Sequence, residues 1–152
     1  MPPIVSTIEI ARPPAEVFSY VTDPSRFAEW QHDIVGVRIE GGRPAGVGSR
    51  FTTTRRIGHT ERTMTQQITE ITAPTSWAAR GVDGAIRPHA NVTVEPLDGG
   101  TRSRVRITLD FEEHGIGLPL LPLVRRQAEK GGSASYRNLK RLLESGDDRV
   151  AR

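Results

Sequence analysis

The last long patterned segment, Leu118 to Ser145, constrains what the rest of the chain can fold into. Leu121, Val124, Ala128, Gly132, Ser135, Tyr136, Leu139, Leu142 and Leu143 recur at three-and-four spacing. That spacing places them on one buried helical face. Arg125, Arg126, Glu129, Lys130, Arg137, Lys140 and Arg141 fill the other side. Pro119 and Pro122 stand at the front, where a missing amide hydrogen does no harm. Pro122 marks the expected start, with Leu118 to Leu121 as a lead-in loop, and Gly146 the expected stop. Gly131 and Gly132 oppose a helix at about 1 kcal/mol each relative to alanine. Three readings are open there: a strand packs against the bare backbone, a kink is tolerated, or the small residues leave room for a ligand.

Before that helix the chain reads as strands and turns. Ile4 to Ala11 alternates and is a first strand. Pro14 suits the first turn of a short helix, Ala15 to Val21, with Val17, Phe18 and Val21 inward. Asp23-Pro24 caps a second short helix, Pro24 to Trp30. Six more strands are expected: Ile34 to Glu40, Val47 to Ile57, Thr60 to Thr72, Ser76 to Val82, Ile86 to Glu95 and Thr101 to Glu112. Turns at Gly41-Gly42, Gly58-His59, Ala73-Pro74-Thr75, Asp83-Gly84 and Asp98-Gly99-Gly100 separate them. Such dipeptides between alternating runs signal hairpins.

Length and charge narrow the options further. The 152 residues fit one domain, expected over 1–145, with residues 146–152 a polar, frayed tail. Cysteine is absent, so disulfides and thiolate chemistry are excluded. No 18-residue apolar run exists, and the N-terminus has no basic stretch followed by an apolar one. Neither a membrane span nor a secretory signal is expected, and the cytoplasm is the expected location. Net charge is only +3. Apart from Lys130 and Lys140 the basic residues are arginines, spread along alternating runs. That is a solvated sheet face, and no nucleic-acid partner is expected.

The order strand, two short helices, six strands, long helix resembles the helix-grip fold of the START-like superfamily. That superfamily includes a class of pollen allergens and the polyketide cyclase/dehydrase-like proteins. Ile8-Glu9-Ile10-Ala11-Arg12-Pro13-Pro14-Ala15-Glu16-Val17-Phe18, Asp23-Pro24 with Trp30, and Val47-Gly48-Ser49-Arg50-Phe51 carry the resemblance. Glu95-Pro96, Gly99-Gly100-Thr101-Arg102 and Leu139-Lys140-Arg141-Leu142-Leu143-Glu144 continue it. It implies an α+β fold: a seven-stranded curved antiparallel sheet around the C-terminal helix, with two short helices after strand 1. It further implies a pocket between sheet and helix for a lipid, sterol, polyketide, hormone or aromatic compound.

Hairpin partners share a face, so the turns select the inward residues. Around Gly58-His59, Arg55 pairs with Arg62, Thr53 with Met64 and Phe51 with Gln66. Around Asp83-Gly84, Ala79 is expected opposite Pro88 and Trp77 opposite Ala90. Around Asp98-Gly99, Val94 is expected opposite Ser103, Val92 opposite Val105 and Ala90 opposite Ile107. Ile68 and Ile71 have opposite parity, which predicts a bulge between them. Val92, Val94, Val105 and Leu142 are assigned to the core. Phe27, Trp30, Phe51, Thr53, Met64, Gln66, Trp77, Ala79 and Tyr136 are the candidate ligand-binding residues. Gln66 would meet a ligand oxygen, a pocket water, a backbone group or Tyr136. Arg55 and Arg62 sit at the pocket mouth or reach solvent.

Chemistry-bearing groups are few. His32, His59, His89 and His114 lack metal-ligand spacing, so neither a metal nor a cofactor is expected. A general acid or base must come within hydrogen-bond reach of the substrate. The inner set holds no carboxylate and no histidine, which leaves Tyr136, Arg55 and Gln66 as catalytic candidates, with Asp33 and His32 at the edge. Two functions follow: carriage of a hydrophobic small molecule, or catalysis of the polyketide cyclase/dehydrase kind in the same pocket. A partner-binding role for the sheet face or the loop Gly115 to Leu121 is a third.

Overall fold

The computed structural model describes residues 2–41, 45–84, 86–113 and 121–145, with only the backbone given for Ile57 and Glu113. Gly42, His114, the apolar loop before Leu121, the Gly146 stop and the tail 146–152 lie outside the described residues.

Seven strands form one antiparallel sheet in the order β1-β7-β6-β5-β4-β3-β2. They are β1 (Ile4–Ile10), β2 (Ile34–Glu40), β3 (Arg50–Ile57), β4 (Thr60–Thr72), β5 (Ser76–Gly81), β6 (Ile86–Leu97) and β7 (Arg102–Glu113). Helix α1 (Pro14–Val21) follows β1, and Val17, Phe18 and Val21 are its buried residues. The expected second helix divides into a 3₁₀ turn, Pro24–Arg26, and a single α turn, α2 (Phe27–Trp30). Asp23 caps the turn by accepting from Ser25 N–H at 3.0 Å. Helix α3 (Leu121–Glu144) runs unbroken through Gly131-Gly132.

The β3–β4 register is as the turn predicts, with Phe51 opposite Gln66, Thr53 opposite Met64 and Arg55 opposite Arg62. Two other registers are shifted by two residues. Ala79 lies opposite Ala90 and Trp77 opposite Val92. Val94 lies opposite Val105, Val92 opposite Ile107 and Ala90 opposite Leu109. At the β6–β7 turn, residues 98–101 close the chain through a 3₁₀ turn with Gly99 at φ 70°, in place of a two-residue loop. An even shift leaves every side chain on its predicted face. The bulge in β4 falls between Ile68 and Glu70. It turns Ile68 into the core and packs Ile71 against it.

Ile10, Val17, Val105 and Leu139 are fully buried, and Val92 and Val94 are buried with them. One assignment is overturned: Arg125, expected on the solvated side of α3, is buried. Its Nη2 donates to Pro2 O at 2.6 Å, so the side chain lies across the front of β1. The glycine pair is also accounted for differently. A side chain at Gly131 would meet nothing within 4 Å, and one at Gly132 would meet the Tyr136 ring of the same helix at 3.3 Å. No strand atom is among the nearest neighbours of a side chain added at either position.

Candidate functional site

The chain has four Phe, two Trp and two Tyr. Five of those eight rings join in one chain of contacts inside the molecule. Phe27 from α2 is its hub, edge-on to Trp30 (centroids 6.1 Å), Phe51 (5.6 Å) and Trp77 (6.1 Å). Phe51 and Trp77 lie 6.3 Å apart, and Trp30 meets Tyr136 of α3 at 6.2 Å. Such edge-to-face packing holds rings in fixed orientations. Parity along β3 and β5 sends Phe51 and Trp77 inward, and the single turn α2 lowers Phe27 and Trp30 onto them.

Polar atoms are set among these rings without partners. Trp30 Nε1, Thr53 Oγ1 and Trp77 Nε1 are buried and have no hydrogen bond among the described residues. Thr53 is 0% exposed. Gln66, opposite Phe51, is 7% exposed and its amide bonds to no described residue. Each unsatisfied buried donor or acceptor costs about 1–3 kcal/mol, so the unpartnered Trp30, Thr53 and Trp77 atoms weigh against the ligand-free protein. Ala79 is buried beside them, and Met64 is half-buried opposite Thr53.

Tyr136 links this interior to the surface. Its ring lies back over Gly132, and its side chain lines an open crevice of about 350 Å³ with Ser6, Thr7, Ile8, Ser133 and Arg137. Burial pushes its phenol above the ordinary range, Arg55 pulls it down and Asp33 pushes it up. A phenol held neutral keeps its O–H as a hydrogen-bond donor but gives up the proton less readily. Arg55 is fully engaged, with Nη1 donating to Asp33 Oδ1 and Nη2 to Gln31 Oε1, both at 2.8 Å. Arg62, across from it, is exposed.

The segment 31–33 is docked on α3. His32 N–H donates to Ser135 Oγ at 3.3 Å, and its ring Nε2 lies 3.2 Å from Ala134 O. His89 lies on the outer face, 3.7 Å from Glu112, and His59 is in an exposed turn. Among the described residues no three metal-ligating side chains converge. A larger concavity, about 490 Å³, lies at the β2–β3 edge around Glu40, Val47 and Arg50. None of the five clustered rings lines it, so size alone does not select the site.

The structure thus brings Phe27, Trp30, Phe51, Trp77 and Tyr136 together, with Thr53, Gln66, Ala79 and Met64 on adjoining strand positions. Arg55 stands beside Tyr136, and Arg62 points away. Sequence reasoning missed Ser6, Ser133 and Arg137. The first is a polar residue on the otherwise apolar inward face of β1, which was the available signal. The other two acquire meaning only from how α3 lies on β1.

The sequence pattern of the family described as "Polyketide cyclase / dehydrase and lipid transport" matches residues 1–144. No curated protein matches the chain in sequence. Solved structures share the fold at low identity. A START superfamily protein from Mycobacterium smegmatis is 17% identical, with TM-score 0.77 over 95% of this chain and 99% of that one. The aromatase/cyclase ZhuI from a Streptomyces species is 16% identical, with TM-score 0.80 over 95% and 94%. The di-domain aromatase/cyclase StfQ of steffimycin biosynthesis is 17% identical, with TM-score 0.69 over 97% of this chain and 46% of that one. Among the described residues no helix is long and apolar enough to cross a membrane.

Proposed function

The chain belongs to the polyketide cyclase/dehydrase and lipid transport family, and we propose that it binds a hydrophobic, oxygen-bearing small molecule between α3 and the inner face of the sheet. The carrying observation is the set of buried polar atoms without partners, Trp30 Nε1, Thr53 Oγ1 and Trp77 Nε1, among packed rings. Binding sites of this kind are mostly apolar, with a few placed polar groups that fix orientation. A lipid, polyketide or aromatic compound supplies apolar surface to Phe27, Phe51, Met64 and Ala79. Its carbonyl or hydroxyl oxygens accept from the indoles, and Gln66 and Thr53 add donors.

The two tryptophans of the chain both lie in this site, so intrinsic fluorescence reports entry directly. Titration with a planar polyphenol or a long-chain lipid is expected to quench or shift the emission saturably. Native mass spectrometry of freshly purified protein is expected to show a retained hydrophobic mass. A flat titration across lipid, polyketide and aromatic probes, with no retained mass, overturns the proposal.

One observation favours a second reading, a cyclase/dehydrase-like enzyme in the same site. The Tyr136 hydroxyl bonds to no described residue and stands near the Arg55–Asp33 pair. Held neutral by burial, it can donate a hydrogen bond to a substrate carbonyl and polarise it. Tyr136→Phe should then abolish turnover of a bound polyketide while leaving its affinity within a few-fold. Unchanged turnover overturns the reading.

A further inference from the structure

The edge strand β1 is paired by β7 on one side and faced by α3 on the other. Its outward backbone groups are taken up at both ends. Arg125 donates to Pro2 O, Lys140 Nζ donates to Glu9 O at 2.6 Å, and Ala11 N–H donates to Glu144 Oε2 at 2.8 Å. Along an antiparallel edge, residues with outward backbone groups alternate. Glu9 faces α3, so Thr7 does too. At Thr7 no described α3 side chain reaches the backbone, and there the crevice opens.

Five residues with hydrogen-bonding side chains line that crevice: Ser6, Thr7, Ser133, Tyr136 and Arg137. None of these side chains bonds to a described residue. Among the described residues, Arg137 is the one charged residue in the lining, and no carboxylate is there. The hydroxyls of Ser6, Thr7, Ser133 and Tyr136, a guanidinium and the Thr7 N–H make a set rich in donors. Ile8 and the Tyr136 ring form the apolar part, and the Tyr136 ring meets Trp30 on the interior side.

We propose that this crevice takes the carboxylate head of an amphipathic acid, whose apolar tail passes Tyr136 toward Trp30. The inference rests on the ligand-binding reading above and names the ligand class. Guanidinium and hydroxyl donors suit a carboxylate and offer an ammonium group little. The volume, about 350 Å³, holds a head and the first carbons of a tail.

Calorimetric titration with dodecanoate, dodecanol and dodecylammonium, below micelle-forming concentrations, tests it on the wild type, Arg137→Gln and Arg137→Lys. Dodecanoate is expected to bind about tenfold tighter than dodecanol, the scale of one charge-assisted contact. Arg137→Gln should erase that preference without weakening dodecanol, and Arg137→Lys should retain part of it. Arg137 is exposed, so the substitution leaves folding intact. Equal affinity for acid and alcohol, or a preference that survives Arg137→Gln, overturns the head-group site while the binding of dodecanol leaves the wider function standing. Failure of all three probes, with flat tryptophan emission, overturns both.

Discussion

Replacing Thr53 by valine separates a ligand-facing hydroxyl from a merely packed one. Thr53 is 0% exposed and its Oγ1 has no partner. Valine keeps the side-chain volume and exchanges the hydroxyl for a methyl group. An unsatisfied buried hydroxyl costs about 1–3 kcal/mol, so its removal should stabilise the ligand-free protein by roughly 1–2 kcal/mol. For a chain of this length that is a rise in Tm of about 2–8 °C. The same change removes one neutral hydrogen bond to a bound oxygen, worth about 0.5–1.5 kcal/mol, or roughly two- to twelvefold in Kd. Thermal unfolding of delipidated protein gives the first quantity, and tryptophan fluorescence titration the second. The signs are opposed: a more stable protein that binds less well. Destabilisation by 1 kcal/mol or more in the ligand-free protein would refute the reasoning, because the hydroxyl would then have a partner worth keeping.

Further tests address the frame and the helix. Gly81→Ala would place a Cβ 2.7 Å from Pro88 Cδ and 3.1 Å from Arg87 Cβ, and should cost about 1–3 kcal/mol in denaturant unfolding through overpacking. At Glu144, burial opposes the charged form, but hydrogen bonds from Lys140 and the Ala11 N–H outweigh it and hold the carboxyl below its ordinary range. A depressed folded-state pKa adds stability above the unfolded value, about 4.3, that is lost as the pH falls through the folded value. Glu144→Gln should therefore lower stability at pH 7 and narrow its gap to wild type at pH 3. In the glycine pair, Gly131→Ala meets nothing within 4 Å and should stabilise α3 by up to about 1 kcal/mol without touching binding. Gly132→Ala meets Tyr136 Cε2 at 3.3 Å, so it should gain less and shift ligand affinity. Equal effects of the two on affinity would disconnect Tyr136 from the site.

The parts legible from sequence are those governed by period and parity. Alternation and turn dipeptides located all seven strands, and parity put Phe51, Thr53, Gln66 and Trp77 on the inner face even where the register moved by two. The opposed parity of Ile68 and Ile71 announced the β4 bulge, because a sheet with one covered face cannot leave an isoleucine outside without cause. Turn closure was illegible. Asp98-Gly99-Gly100 reads equally as a two-residue hairpin or a longer loop, and the 3₁₀ turn is decided by pairing farther along β6 and β7. Arg125 was misplaced for a related reason: its charge argued for solvent, while a carbonyl 123 positions earlier in the chain supplied a buried partner.

The unpartnered atoms were beyond sequence reasoning altogether. An inward glutamine or threonine announces a need for a partner, but whether one exists depends on every neighbour at once. Here the neighbours are rings. Phe27 wedges edge-on between Trp30, Phe51 and Trp77, and rings offer surface where the indole N–H groups need acceptors. A core selected only for stability would replace such atoms with carbon, since an apolar group of the same shape avoids the desolvation penalty. Retaining Trp30 Nε1, Thr53 Oγ1 and Trp77 Nε1 in one interior makes sense if stability is set against an oxygen-bearing guest. The Thr53→Val experiment measures that exchange at a single atom.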